Sequence, residues 1–178
     1  MERLSRWLKR LGIGGATVLA LLYVLFWAYT LPSAAKVRVT GTEVARRDVE
    51  RPDGTTRAQD VNYITAEDLG GKARIFRNVD TGWGWPPYFK FDSGNLLAQA
   101  NNLAAADPPP LVLVRYYGFR IPLFSMVPNA ISMRTLEPDE DPLPLFNLAF
   151  GVAHAALVVW LMLRIRRWRR ASPESDAG

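Results

Sequence analysis

Two stretches of this chain are uniformly apolar, and the stretch between them alternates. From Leu11 to Leu31, between Arg10 and Lys36, no Asp, Glu, Lys, Arg or His occurs. At about 1.5 Å per residue this run covers roughly 32 Å, enough for a hydrocarbon core of about 30 Å. A second run, between Asp141 and Arg164, also lacks Asp, Glu, Lys and Arg. Pro142 and Pro144 suit its opening turn, where a missing N–H costs nothing. A helix of a soluble bundle keeps one polar face, and neither run has one. Both runs are predicted to span a membrane, over 11–31 and 143–163. Trp27 and Tyr29 near the end of the first, and Trp160 and Trp168 near the end of the second, suit headgroup-level anchoring.

Residues 32–142 are long enough for one small domain. Val37, Val39 and Val44 predict a strand with a bulge at Gly41, and Arg51-Pro52-Asp53-Gly54 a turn. Val61 to Thr65 predicts a second strand, and Leu69-Gly70-Gly71-Lys72 a hairpin into a third over Ala73 to Val79. Asp92 or Ser93 can cap a helix carrying Leu96, Leu97, Ala100, Leu103 and Ala104 on one face, ended by Pro108-Pro109-Pro110. Leu111 to Phe119 and Ala130 to Leu136 complete five strands. Three strands, a helix and two strands is the order of an OB-type barrel, with an open α+β sheet as the alternative. The expected fold class is thus an α+β membrane protein, two spans flanking a β-rich domain.

Charge orients this arrangement. Arg3, Arg6, Lys9 and Arg10 precede the first span, and Arg164, Arg166, Arg167, Arg169 and Arg170 follow the second. Only Glu2, Glu174 and Asp176 oppose them, so the ends, 1–10 and 164–178, carry +6 and the rest of the chain −1, for a net charge of +5. Positive-inside bias predicts both ends in the cytoplasm and 32–142 outside. The acidic run Glu137, Asp139, Glu140, Asp141 agrees. The middle is nearly neutral, so no nucleic-acid surface is expected. Ser33-Ala34-Ala35 could serve a signal peptidase, but the apolar run exceeds the roughly 7–15 residues of a signal core. An uncleaved anchor is expected.

The chain has no cysteine and one histidine, which excludes thiol chemistry and Cys-based zinc sites. His154 lies mid-span; intramembrane ionisable groups often relay protons, yet no acidic partner lies in either span, so a hydrogen-bonded neutral imidazole is expected. Gly12, Ala16 and Ala20, and Gly151 and Ala155, recur every four residues, a spacing that lets helices pack closely. The densest feature is Asp80 to Asp92, DTGWGWPPYFKFD, in which a cis bond is expected most readily after Trp85. Trp83, Trp85, Tyr88, Phe89 and Phe91, with Asp80, Lys90 and Asp92 as polar edges, could form a stacking platform, enter a membrane interface, or pack the barrel mouth. Packing is the default expectation. Asp80-Thr81-Gly82 matches the aspartic-protease triplet, but Trp83 and Trp85 would crowd a shared-proton dyad. Glu137–Asp141 lacks the glycine and spacing of a calcium loop. The run Ile121-Pro122-Leu123-Phe124-Ser125-Met126-Val127-Pro128 reads as buried in preference to lipid-facing.

Asp80 to Asn95, with Tyr117-Gly118, Pro128-Asn129-Ala130-Ile131-Ser132 and the two flanking spans, resembles the bacterial membrane proteins grouped as domain of unknown function 1523. The resemblance implies a bacterial, alphaproteobacterial, inner-membrane protein and no reaction, cofactor or catalytic residue. More loosely, the element order is similar to that of small secreted OB-like proteins. The expected role is a non-enzymatic interaction or scaffold module of the cell envelope, with the lipid bilayer and an envelope protein as partners and no cofactor or metal. Alternatives are a glycan or lipid-headgroup binder using the aromatic loop, and a carboxylate-dependent hydrolase using Asp80 or Asp92.

Overall fold

The computed structural model describes residues 2–50, 54, 56–137 and 140–171. The expected turn residues Arg51, Pro52 and Asp53, Asp139 of the acidic run, and the tail acids Glu174 and Asp176 lie outside these. The side chains of Arg3, Arg6, Lys9 and Arg169 are also outside the description.

The chain divides into two compact units, Met1–Glu140 and Asp141–Gly178. The first holds α1 (Glu2–Thr30), β1 (Ser33–Glu50), β2 (Thr56–Asp68), β3 (Ala73–Asn78), α2 (Ser93–Ala104), β4 (Val112–Tyr117), a 3-10 turn (Pro122–Phe124) and β5 (Asn129–Thr135). The second holds α3 (Leu145–Ala171). α1 and α3 contain segments, Arg10–Thr30 and Leu145–Trp168, long and apolar enough to cross a membrane, and neither is buried.

The strands close into a barrel in the order β1-β2-β3-β5-β4, as the element order predicts. Every neighbouring pair is antiparallel except β3 and β5, which meet in parallel at Arg77 and Asn129. β1 makes closure possible by serving two neighbours. Ser33 to Val37 pair with Tyr116 to Val112 of β4, and from Val37 onward β1 pairs with β2. The register slips between Val39 and Gly41, a bulge that bends the strand from one partner to the other. Ser33-Ala34-Ala35, the small-residue segment, is therefore barrel strand.

Alternation explains the core. Val37 and Val39 of β1, Ile64 of β2, Phe76 of β3, and Val112 and Val114 of β4 point inward and are fully buried. α2 adds Leu96 and Ala100, four residues apart on one face, to the same cluster. Val44 lies on β1 as the sequence predicts, but past the bulge the strand leaves the core and Val44 is 59% exposed. The Pro122–Phe124 connection departs from the sequence expectation. Leu123 is 85% and Phe124 68% exposed, not buried, because Pro122 opens a 3-10 turn that Ser125 closes at φ 50°. Pro144 immediately precedes α3 and closes its first turn, its carbonyl accepting the Leu148 N–H at 3.0 Å, whereas Pro142 lies before that turn.

Phe76→Ala is expected to cost about 3–5 kcal/mol of unfolding free energy by leaving a core cavity. Val44→Ala is expected to stay within about 0.5 kcal/mol, as at other surface positions. Denaturant unfolding of the detergent-solubilised chain checks both, and equal losses would refute this core.

Candidate functional site

The aromatic run connects β3 to α2, and its base is built from polar groups. Asp80 turns both carboxylate oxygens to the start of α2, accepting the Ser93 N–H at 2.8 Å and the Ser93 hydroxyl at 2.9 Å. Asp80 thus caps the helix from outside it. Asp92 occupies the N-cap position, but its side chain makes no capping bond, contrary to expectation. Thr81 and Gly82 N–H groups donate to the Lys90 carbonyl at 3.1 and 3.0 Å, and the Lys90 N–H returns to the Thr81 hydroxyl at 3.1 Å. These bonds close the loop on itself.

Beyond that closure the chain alternates. Pro86, Tyr88 and Lys90 turn inward, while Trp85, Phe89 and Phe91 turn outward. The Trp85–Pro86 bond is cis, and Phe89 holds a left-handed φ of 49°, a conformation disfavoured for a residue with a Cβ. Lys90 is the surprise. Only 3% of it is exposed, and its ammonium donates to Asn78 Oδ1 at 2.5 Å and to the Ala130 carbonyl at 2.8 Å. Asn78 in turn donates to the Ser93 carbonyl at 2.8 Å. Lys90 therefore ties the loop to β3 and β5 and is no polar edge for a ligand. Burial pushes its amine down to about 8, opposed by the nearby charges of Asp80 and Asp92.

The outward rings do not pack the barrel mouth, and the default expectation fails for them. Inward positions are already taken by Lys90 and Tyr88. Trp83 is 85% exposed and meets Phe89 and Phe91 edge-on at 5.5 and 5.7 Å. Trp85 stacks on Phe26 of α1 at 5.5 Å and 17°. Tyr88 stacks on Tyr117 at 5.1 Å, and its hydroxyl donates to the Thr30 carbonyl. Tyr29 meets Tyr117 and Phe119 edge-on at 6.1 and 5.6 Å, and the Gly118 N–H donates to the Tyr29 carbonyl at 3.0 Å. Gly118 sits at φ 90°, and a Cβ there would come within 3.4 Å of the Tyr29 ring. The aromatic loop and the β4–β5 connection thus form a cuff around the last turn of α1.

Both phenols of the cuff remain proton donors at neutral pH. Burial pushes Tyr88 up to about 12. Burial also raises Tyr117, against a hydrogen bond from Asn129.

Sequence reasoning found Asp80 to Asp92 but missed their partners, Phe26 and Thr30 on α1 and Asn78 on β3, and also Phe119, which meets Tyr29. No sequence signal marks these four, whereas Tyr117, Gly118 and Asn129, which also line this region, are among the residues that carry the family resemblance. The remaining candidates lie elsewhere. Gly12, Ala16 and Ala20 are exposed on α1, and Gly151 and Ala155 are exposed on α3. His154 is half-buried on α3, its ring stacked on Phe150 at 4.9 Å. Among the described residues no group of three or more His, Asp or Glu could hold a metal ion.

Comparison with known proteins gives a family. The family described as "Protein of unknown function (DUF1523)" matches residues 8–169. A Haemophilus influenzae protein, named only "Uncharacterized protein", is 41% identical over 121 residues, covering 64% of this chain and 67% of its own. No solved structure matches.

Lys90→Met is expected to cost about 1–3 kcal/mol, since it strands two buried acceptors. The amine also sets a pH dependence. Its folded value of about 8 lies below the ordinary 10.5, so between these the unfolded chain binds more protons and stability rises with pH. Below about 8 both states are charged and the contribution is flat. Melting of wild type relative to Lys90→Met should therefore rise from pH 8 to 10.5, and a constant difference across that window would refute the buried amine.

Proposed function

The chain belongs to the DUF1523 family, and from that premise we propose that it is a membrane-anchored interaction or scaffold module of the cell envelope. In this reading α1 and α3 cross the inner membrane, both ends lie in the cytoplasm, and the OB-type barrel rests on the outer face.

One observation carries the reading: the exposed rings surround the end of an apolar helix. Phe26 lies four residues before the last residue of α1, about 6 Å along a helix axis, and Trp85 stacks on it. Trp83, Phe89 and Phe91 belong to the same loop. Rings at that level suit the headgroup zone, where amphipathic aromatics concentrate in membrane proteins. Left in water, the same rings and the bare flank of α1 would forfeit roughly 25 cal/mol for each Å² of apolar area. Lipid removes that cost.

Two further facts support anchoring without cleavage. Ser33, Ala34 and Ala35 pair with Tyr116, Arg115 and Val114, so cleavage after Ala35 would cut a barrel strand. The cuff also grips α1 through backbone bonds to Tyr29 and Thr30. A hydrolytic role is disfavoured because both oxygens of Asp80 hold Ser93. Small OB-type barrels commonly bind partners through their faces and loops, an analogy of fold that favours an interaction role.

The absence of cysteine permits a clean topology test. Asn102→Cys should react with a membrane-impermeant maleimide in intact spheroplasts, whereas Ser5→Cys and Ala177→Cys should react only after permeabilisation. Carbonate washing should leave the chain in the membrane fraction. The opposite labelling pattern, or release by carbonate, would overturn the proposal.

A further inference from the structure

Beside the cuff, between the end of α1 and the β4–β5 connection, lies a cavity of about 210 Å³. Its polar lining includes Tyr29 of α1, Arg77 of β3, Tyr117 of β4, Ser125 of the connection and Asn129 of β5. Phe124 and Met126 line it too, and Leu123, next to Phe124, projects into the surroundings with 85% of its surface exposed.

Three features define what this cavity can hold. The first is charge. Arg77 forms no ion pair with a carboxylate among the described residues. An arginine fork without a carboxylate partner, lining a cavity, matches a phosphate or carboxylate bidentately. The second is donor direction. Asn129 donates its amide N–H to the Tyr117 oxygen at 3.3 Å, so that oxygen already acts as an acceptor. The Tyr117 proton is left to donate elsewhere, and burial keeps it on the phenol. Asn129 is itself fixed by Val79, donating to its carbonyl at 2.9 Å and accepting its N–H at 3.0 Å. The third is size. About 210 Å³ falls below the roughly 300–1,000 Å³ of pockets that enclose drug-sized ligands. A headgroup phosphate fits inside, and the rest of a lipid stays out, against Leu123 and Phe124.

We propose that this cavity binds the phosphate group of an anionic phospholipid headgroup, with Arg77 pairing its charge and Tyr117 donating a hydrogen bond. The lipid source rests on the membrane reading above, because Tyr29, the next-to-last residue of α1, forms part of the wall. A phosphate at that level belongs to the leaflet around the helix. The site is separate from the aromatic loop and uses none of its rings.

The test uses the full-length chain in detergent micelles, offered equal phosphatidylglycerol and phosphatidylcholine, with retained lipid counted by native mass spectrometry. Wild type should retain phosphatidylglycerol in clear preference to phosphatidylcholine. Arg77→Gln should lower that retention about tenfold to a hundredfold, the range for a lost charged hydrogen bond. Tyr117→Phe, which keeps the ring stack and removes only the hydroxyl, should lower it by a smaller factor. Circular dichroism and carbonate resistance equal to wild type would show both variants folded and anchored. Equal retention of the two lipids, or an Arg77→Gln chain that binds like wild type, would overturn the proposal while leaving the anchoring intact. Displacement by inorganic phosphate as efficient as by phosphatidylglycerol would overturn the lipid as source. Release of wild type by carbonate, seen before any lipid is added, would instead overturn the anchoring reading.

Discussion

An α-helix that ends leaves its last carbonyls without intrahelical donors, and at the end of α1 the barrel supplies two of them. The Gly118 N–H donates to the Tyr29 carbonyl, and the Tyr88 hydroxyl donates to the Thr30 carbonyl. These bonds come from two different connections, β4–β5 and β3–α2, so the helix end is held from two sides. Ring contacts complete the grip, with Trp85 on Phe26 and Tyr29 between Tyr117 and Phe119. An apolar helix and a polar-surfaced barrel, which would otherwise be joined by two residues, become one body.

The cuff needs a loop that holds its shape, and the buried amine of Lys90 provides it. A lysine inside a small barrel carries a desolvation cost, met here by Asn78, the Ala130 carbonyl and the nearby carboxylates. Because Lys90 points in, Phe89 and Phe91 point out. Asp80 adds a second tie by capping α2, which fixes the loop's exit. The carboxylate and the lysine that looked like ligand edges are framework, and the rings they hold outward are the surface that remains free to act.

The barrel was legible in the sequence because its core obeys a period of two. Val37 and Val39, Val112 and Val114, and the spacing of Leu96 and Ala100 announce their elements without ambiguity. β1 runs beyond Val44, the last valine that marks it in the sequence, and there it pairs with β2 alone. The aromatic run was recognisable, but its inward and outward sense was not. That sense depends on Phe89 at φ 49° and on a buried lysine, the residue type least expected inside. Partners such as Phe26 and Tyr117 lie tens of residues away, and no local pattern links them. The connection through Leu123 misled for a simpler reason: apolar residues between prolines look like core until a 3-10 turn exposes them.

On this account the exposed rings and the Leu123–Phe124 turn lie in the headgroup zone of the bilayer that α1 crosses. Spin-label accessibility tests this most directly, since the chain has no cysteine to replace. Nitroxides attached at Trp83→Cys and at Leu123→Cys, in full-length chain reconstituted into lipid bilayers, would be probed for collisions with oxygen and with a water-soluble nickel chelate. The account predicts oxygen-dominated relaxation at both sites and chelate-dominated relaxation at Asn102→Cys on the exposed face of α2. Chelate-dominated relaxation at all three would place the rings in bulk water and contradict it.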